Sequence, residues 1–292
     1  MRKFLLLFLC IPYLCVAQGK FEFMGVLKLN GNDKNLISYR LAFQEEGGVI
    51  KGYSVTDLGG ANETKNMISG TYDSSSKILT FKEDGILYTK STYSQDIFCF
   101  VHFSGKVKLK DNSSTLEGAF KGLYKNNKKC IDGTLLLVGS AKIEKLVNKL
   151  SSKLQKTKKV DEATKRKYNP VRMLDSLKIN NLNKGQNLNV FTKFNKVVLE
   201  IWDAENEDGD SVSLTKNGTI LLDNYVVLNR KKVIPISLEP GQNVFVIEAL
   251  NEGQIKPNTA TIQIIDEDRT FELKTNLKLG EKASVTVHRT AD

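Results

Sequence analysis

The stretch Trp202 to Leu214, WDAENEDGDSVSL, carries five carboxylates, Asp203, Glu205, Glu207, Asp208 and Asp210, between two apolar runs. Hard oxygen donors at this density suit calcium, so Asp203, Glu205, Asp208 and Asp210 are the expected ligands, with Asn251, Glu252 or Asn258 reaching in from a neighbouring loop. The loop is not an EF-hand: aligning Gly209 with the loop glycine puts Ala204 at the first ligand position and Thr215 where a bidentate Glu belongs. A plain turn is the competing reading. Asp208-Gly209-Asp210 suits a tight turn in which an Asp side chain bonds its own backbone, with Arg230, Lys231 and Lys232 near enough to supply counter-charge.

Other chemistry finds less to work with. The chain has two histidines, His102 and His288, so a three-histidine metal site is excluded and a Ser-His-Asp set has little choice. Phosphate-binding and dinucleotide-binding glycine patterns are absent. Glu83 with a second acid could cleave a glycoside, but the separation of two carboxylates is not readable from a sequence. The expectation is a non-enzymatic protein with no cofactor beyond a candidate calcium.

The first residues, MRKFLLLFLCIPYLCVAQ, set a basic pair before a short apolar run and small residues before Gln18, the pattern of a secretory signal peptide over residues 1–17. Leucine precedes both Cys10 and Cys15, which argues against lipidation. Removal of the signal leaves Cys99 and Cys130, expected to pair in an oxidising compartment. The expected location is secreted, in the periplasm or at the cell surface, with no later segment long and apolar enough to span a membrane.

Charge divides the rest. Residues 140–175 hold 11 basic against 4 acidic side chains, whereas 18–139 hold 16 against 13 and 176–292 hold 14 against 16. Basicity belongs to the middle piece, which argues against nucleic acid as the partner of the whole chain. Within it Ile143, Leu146, Val147, Leu150 and Leu154 form one helical stripe, and Asn169-Pro170 ends the pattern. The helix reads as a solvated connector with its stripe on a neighbouring body. Lys149, Lys153, Lys156, Lys158, Lys159, Lys165, Arg166 and Lys167 are the candidates for attracting an anionic surface.

On either side the text alternates in the period-2 manner of strands, with Gly, Asn, Asp and Ser turns. Nine short segments between Phe21 and Gly139 predict an up-and-down β-barrel, a lipocalin-like meander, over 18–139. Gly52, Gly70, Gly118, Gly122 and Gly133 within strands suit its curvature. Phe43, Tyr72, Phe81 and Phe98 would line its lumen were it hollow. Nine further segments after Ser176 predict an immunoglobulin-like β-sandwich over 176–292, with Trp202 buried as its anchor. Up-and-down counting brings the loops 203–210, 223–231 and 251–258 to one end, where Tyr225, Arg230, Asn251, Glu252 and Asn258 are candidate contacts.

The string WDAENEDGDSVSLTKNG, followed by LNRKKVIPISLEPGQNVFVIEALNEGQIKPNTATIQIID, resembles the C-terminal module of secreted two-domain β-rich proteins of Bacteroidetes, with its DGD/NG and NxGxxPNTA motifs. The resemblance covers roughly the last 110 residues. It implies an exported envelope or surface protein and transfers no activity. Together these readings predict an all-β secreted interaction protein whose partner is a glycan, an anionic envelope polymer or another envelope protein. Carriage of a small ligand in the barrel and hydrolysis by a carboxylate pair stay open as alternatives.

Overall fold

The structure, a computed structural model, describes residues 19–31, 36–110 and 112–290. The expected signal peptide, with Cys10 and Cys15, lies outside the described residues, as does the Lys167 side chain.

Eight strands, β1 (Gly19–Leu29), β2 (Leu36–Glu46), β3 (Val49–Thr56), β4 (Thr64–Asp73), β5 (Ile78–Thr89), β6 (Phe100–Lys106), β7 (Thr115–Leu123) and β8 (Gly133–Gly139), each pair antiparallel with the next. β8 pairs back onto β1 and closes the barrel. Alternation decides what is inside: Phe23, Tyr39, Leu41, Ile50, Leu79, Phe81, Phe103, Leu116, Leu135 and Leu137 are buried together. Two glycines show how tightly the wall is bent. A Cβ on Gly52 would lie 2.1 Å from the Ala42 carbonyl oxygen, and one on Gly70 would lie 2.0 Å from that of Thr80.

The nine segments expected in this half become eight strands because "KILTFKE" and "GILYT" are one. Glu83 opposes Ile68 and Gly85 opposes Met67, so Asp84 is the extra residue of a β-bulge. Asp-Gly reads as a turn in sequence, yet here it kinks a strand without ending it. The Cys99–Cys130 disulfide, with Cα atoms 6.1 Å apart, ties the entry of β6 to the approach to β8.

After the barrel come α1 (Ser140–Lys156), α2 (Glu162–Lys167) and α3 (Pro170–Ser176). The striped helix ends at Lys156, earlier than the expected stop at Asn169-Pro170, and Pro170 instead opens the third helix. Its missing N–H costs nothing at the first helical position, and Asn169 Oδ1 accepts the Val171 N–H (2.9 Å) as the cap. α1 packs on α3 and touches β1 and β8. Its stripe is only partly covered: Ile143, Val147 and Leu154 are half-buried, while Leu146 and Leu150 are 58% and 46% exposed.

The second body has two layers. One runs β13 (Thr219–Val226), β12 (Ser211–Lys216), β15 (Gly241–Ala249), β18 (Lys282–Arg289), β10 (Asn187–Thr192); the other runs β14 (Lys232–Ser237), β11 (Lys196–Trp202), β16 (Thr261–Ile265), β17 (Thr270–Asn276), β9 (Asn181–Asn183). Both layers contribute to one core, including Val190, Leu199, Leu214, Phe245, Ile264 and Val285. Trp202 is not its anchor. Val197, Leu199 and Ile201 take the inward positions of β11, so Trp202 falls on the opposite face, half-buried beneath Lys231, whose Nζ lies 4.3 Å from the ring centre.

The two bodies do not hang on a spacer. β10 also pairs with β5, Asn189 opposite Thr89 and Val190 opposite Tyr88, so the barrel wall and one layer form a single 13-stranded sheet. Beside this seam Lys90 Nζ donates to the Asn181 carbonyl (2.8 Å) and lies 3.6 Å from Glu63 Oε2, while Tyr88 Oη donates to Glu63 Oε1 (2.9 Å). Lys90 and Glu63 are both almost fully buried.

Candidate functional site

The three acidic and polar loops meet at one end of the second body. The Asp203 N–H donates to the Leu228 carbonyl and the Val227 N–H to that of Asp210, each at 2.8 Å, which fixes the acidic loop to the turn after β13. Asp208 Oδ2 accepts from the Ile255 N–H (2.8 Å) and Asp210 Oδ2 from the Thr259 N–H (2.6 Å), which fixes it to the 251–259 loop. Asn251 accepts from the Ser211 N–H (2.7 Å) and donates to the Gly209 carbonyl (2.8 Å); Asn258 donates to the carbonyls of Ser211 and Asn251. Backbone groups that no strand satisfies are thereby taken up by short side chains, as tight turns require.

This wiring corrects the expected calcium cage. Asp203 Oδ1 accepts the Glu205 N–H within its own turn, and Glu205, which lines the rim crevice with Asp208, pairs with Lys274 Nζ at 2.6 Å. Asp208 and Asp210 hold backbone, as above. Among the described residues no three His, Cys, Asp or Glu side chains gather closely enough to hold a metal ion. The expected counter-charges go elsewhere too: Lys231 pairs with Glu200 (2.7 Å), and Arg230 and Lys232 are exposed and, among the described residues, make no ion pair to the loop. Glu252 pairs with Lys256 (3.3 Å).

Neighbouring carboxylates must feel one another. Burial first, and then the neighbouring charges of Asp208, Asp203 and Glu252, push the Asp210 carboxyl up to about 6. Asp210 is 1% exposed and Asn258 is 0% exposed, and Oδ1 of each has no partner among the described residues. Tyr225 does not join the rim; it packs against the core, next to a register shift between β12 and β13. What the rim presents is a crevice of about 270 Å³ whose lining joins the expected Glu205 and Asp208 to Asn181, Asn206, Lys274 and Asn276, with Ile255 exposed above it. Sequence reasoning missed Asn181, Lys274 and Asn276, which come from β9 and β17 and carry no local motif.

The basic candidates separate into two groups. Lys149, Lys153, Lys156, Lys158, Lys159 and Arg166 are exposed and make no ion pair among the described residues. Lys142 and Lys145 extend the row along α1, at spacings of three and four residues that place all five lysines of the helix on one face. Lys165 is the exception and is corrected: it is 7% exposed and holds Glu162 Oε1 at 2.8 Å.

The barrel alternatives gain little from the geometry. Phe43, Tyr72 and Phe81 pack within the barrel core, Phe81 also bordering a cavity of about 760 Å³ shared with His102, Phe103 and Phe120, and Phe98 lies half-buried in the connection before β6. Glu83 faces no cleft. Its Oε1 accepts from Tyr39 Oη (2.9 Å) and Ser54 Oγ, its Oε2 accepts from the Val101 N–H (2.8 Å), and burial raises its carboxyl above the ordinary range. His102, on β6, is half-buried on the barrel's outer face.

Comparison with family models, with curated proteins and with solved structures finds no match for this chain.

Proposed function

We propose that the chain is a secreted, non-enzymatic interaction protein of the cell envelope or surface, which binds a glycan or another envelope component through the three-loop rim. The observation that carries this reading is the rim itself. Its loops are locked to one another by side chain to backbone hydrogen bonds, so its crevice is preformed and little ordering cost falls on binding. Amide side chains of Asn181, Asn206 and Asn276 offer donor and acceptor together, which is what sugar hydroxyls need. The Cys99–Cys130 disulfide supports export to an oxidising compartment.

We read the second body as an immunoglobulin-like variant: two mainly antiparallel layers pack over one core, though the neighbours β15 and β18 are separated in sequence by the hairpin β16–β17 of the opposite layer, where strands F and G of that fold are consecutive. In such folds end loops are common binding surfaces. The exposed α1 lysines favour a second contact with an anionic polymer. The test is retention of the purified mature chain on insoluble peptidoglycan, on polygalacturonate and on heparin resin, alongside I255S and K256E. Retention lost in both rim variants, with unchanged melting, supports the rim. Retention lost only when the α1 lysines become glutamine moves the contact to the helix, and retention on none of the three removes the glycan and polymer reading.

A further inference from the structure

Where the barrel meets the second body, a crevice of about 420 Å³ is walled by Arg40, Tyr53 and Lys65 from the barrel and by Lys178, Asn180 and Lys274 from the second half of the chain. Glu205 and Glu272 are its two carboxylates, against four cations. Three of the cations are already engaged: Arg40 Nε lies 2.6 Å from Glu22 Oε1, Lys274 Nζ 2.6 Å from Glu205 and Lys178 Nζ 3.7 Å from Glu144. Lys65 is different. Among the described residues it has no carboxylate within ion-pair distance, and its Nζ lies 3.9 Å from the centre of the Tyr53 ring, with the Arg40 guanidinium 5.6 Å from the same ring.

Two cations thus share one half-buried aromatic ring, a favourable contact for either alone that sets like charges against each other. The strain shows in Lys65: burial first, and Arg40 next, pull its ammonium down to about 8. Asn180 adds a second unmet demand. It is buried in the same wall, and neither its side-chain nitrogen nor its oxygen has a partner among the described residues. Buried amide groups are almost always satisfied, so this pair of positions is open to water or to the hydroxyl of a ligand that displaces it.

We propose that this crevice is a binding site for an anionic sugar, with the carboxylate or phosphate of the ligand at Lys65 and Arg40 and a hydroxyl at Asn180. The inference does not rest on the rim: Glu205 and Lys274 border both crevices, but the two cations assigned to the ligand, Lys65 and Arg40, belong to the barrel and are absent from the rim. Sites for small ligands favour such seams between bodies, where few convergent polar groups fix orientation.

Titration calorimetry of the mature chain with glucuronate, glucose 6-phosphate, glucose and inorganic phosphate tests it. At least one anionic sugar should bind, with glucose weaker by about tenfold or more for want of the charge-assisted contact and inorganic phosphate weaker by about threefold or more for want of the hydroxyl at Asn180. K65M should weaken the anionic sugar by a similar factor with an unchanged melting temperature, and K65R should retain it. Lysine NMR should show the Lys65 titration moving upward with ligand. Whichever anionic sugar binds more tightly identifies carboxylate or phosphate as the preferred group. Binding of neither anionic sugar, equal binding of inorganic phosphate, or full affinity in K65M would overturn the assignment.

Discussion

A buried carboxylate has to find donors, and Glu83 finds them on three strands at once, in Tyr39, Ser54 and the Val101 backbone. E83Q keeps the shape but turns one oxygen into a donor that faces donors, so it should cost about 1–3 kcal/mol, read from the urea midpoint. Asp210 gives a pH signature instead. Its folded value near 6 lies above the ordinary 3.8, so the native state holds its proton more tightly, and stability contributed by the neutral acid is lost as pH rises from about 4 through 6. D210N should flatten that part of the wild-type curve in melts between pH 4 and 7. Calcium at millimolar concentration should leave the melting temperature unchanged, because the loop carboxylates are engaged by backbone and by Lys274; a rise would show a folded-state ion by mass action. The sequence displayed these carboxylates but not their partners, for Ile255 and Thr259 are nearly fifty residues away and donate through backbone atoms that any residue carries. Trp202 was misjudged for a simpler reason. Its parity on β11, opposite to Val197, Leu199 and Ile201, already put it on the outer face.

At the scale of elements, alternation served well where one face of a strand is buried, and all nine segments read after Ser176 correspond to strands. Three-residue β9 is too short to show a period, and the joining of two segments into β5 depends on a bulge that Asp84-Gly85 cannot announce by itself. The helical stripe was legible for α1, but the break after Lys156 was not, since the Asp161 cap that starts α2 looks like any surface Asp until its Oδ1 accepts the Thr164 N–H. The disulfide closes a separation of 31 residues. The double variant C99S/C130S should therefore lose about 3–4 kcal/mol by the chain-entropy argument, measured by denaturant unfolding against the oxidised wild type.

For the whole molecule, the charge step around 140–175 suggested two bodies on a tether, and what the composition could not show is the seam. Pairing of β5 with β10 and the buried Lys90–Glu63 contact predict that the halves unfold together. Fluorescence of the single tryptophan, which reports the second body, and far-ultraviolet circular dichroism, which reports both, should trace one transition. K90M removes the cation beside buried Glu63 while Tyr88 Oη and the Gly59 N–H still donate to the carboxylate, so it should cost up to about 3–5 kcal/mol and should pull the two curves apart. The same seam has a mechanical meaning. A protein held at one place and loaded at another carries tension along its shortest connected path, and here that path crosses the strand pairs Thr89–Asn189 and Tyr88–Val190, with the Lys90–Asn181 and Asn189–Ser91 hydrogen bonds beside them, before the covalent backbone of the helices is stretched. If those pairs part, α1 to α3 can pay out as slack, each residue lengthening from about 1.5 Å to about 3.3 Å. The join would act as a fuse and the basic helices as its spare rope, so that a pull on the rim is absorbed without tearing the closed barrel.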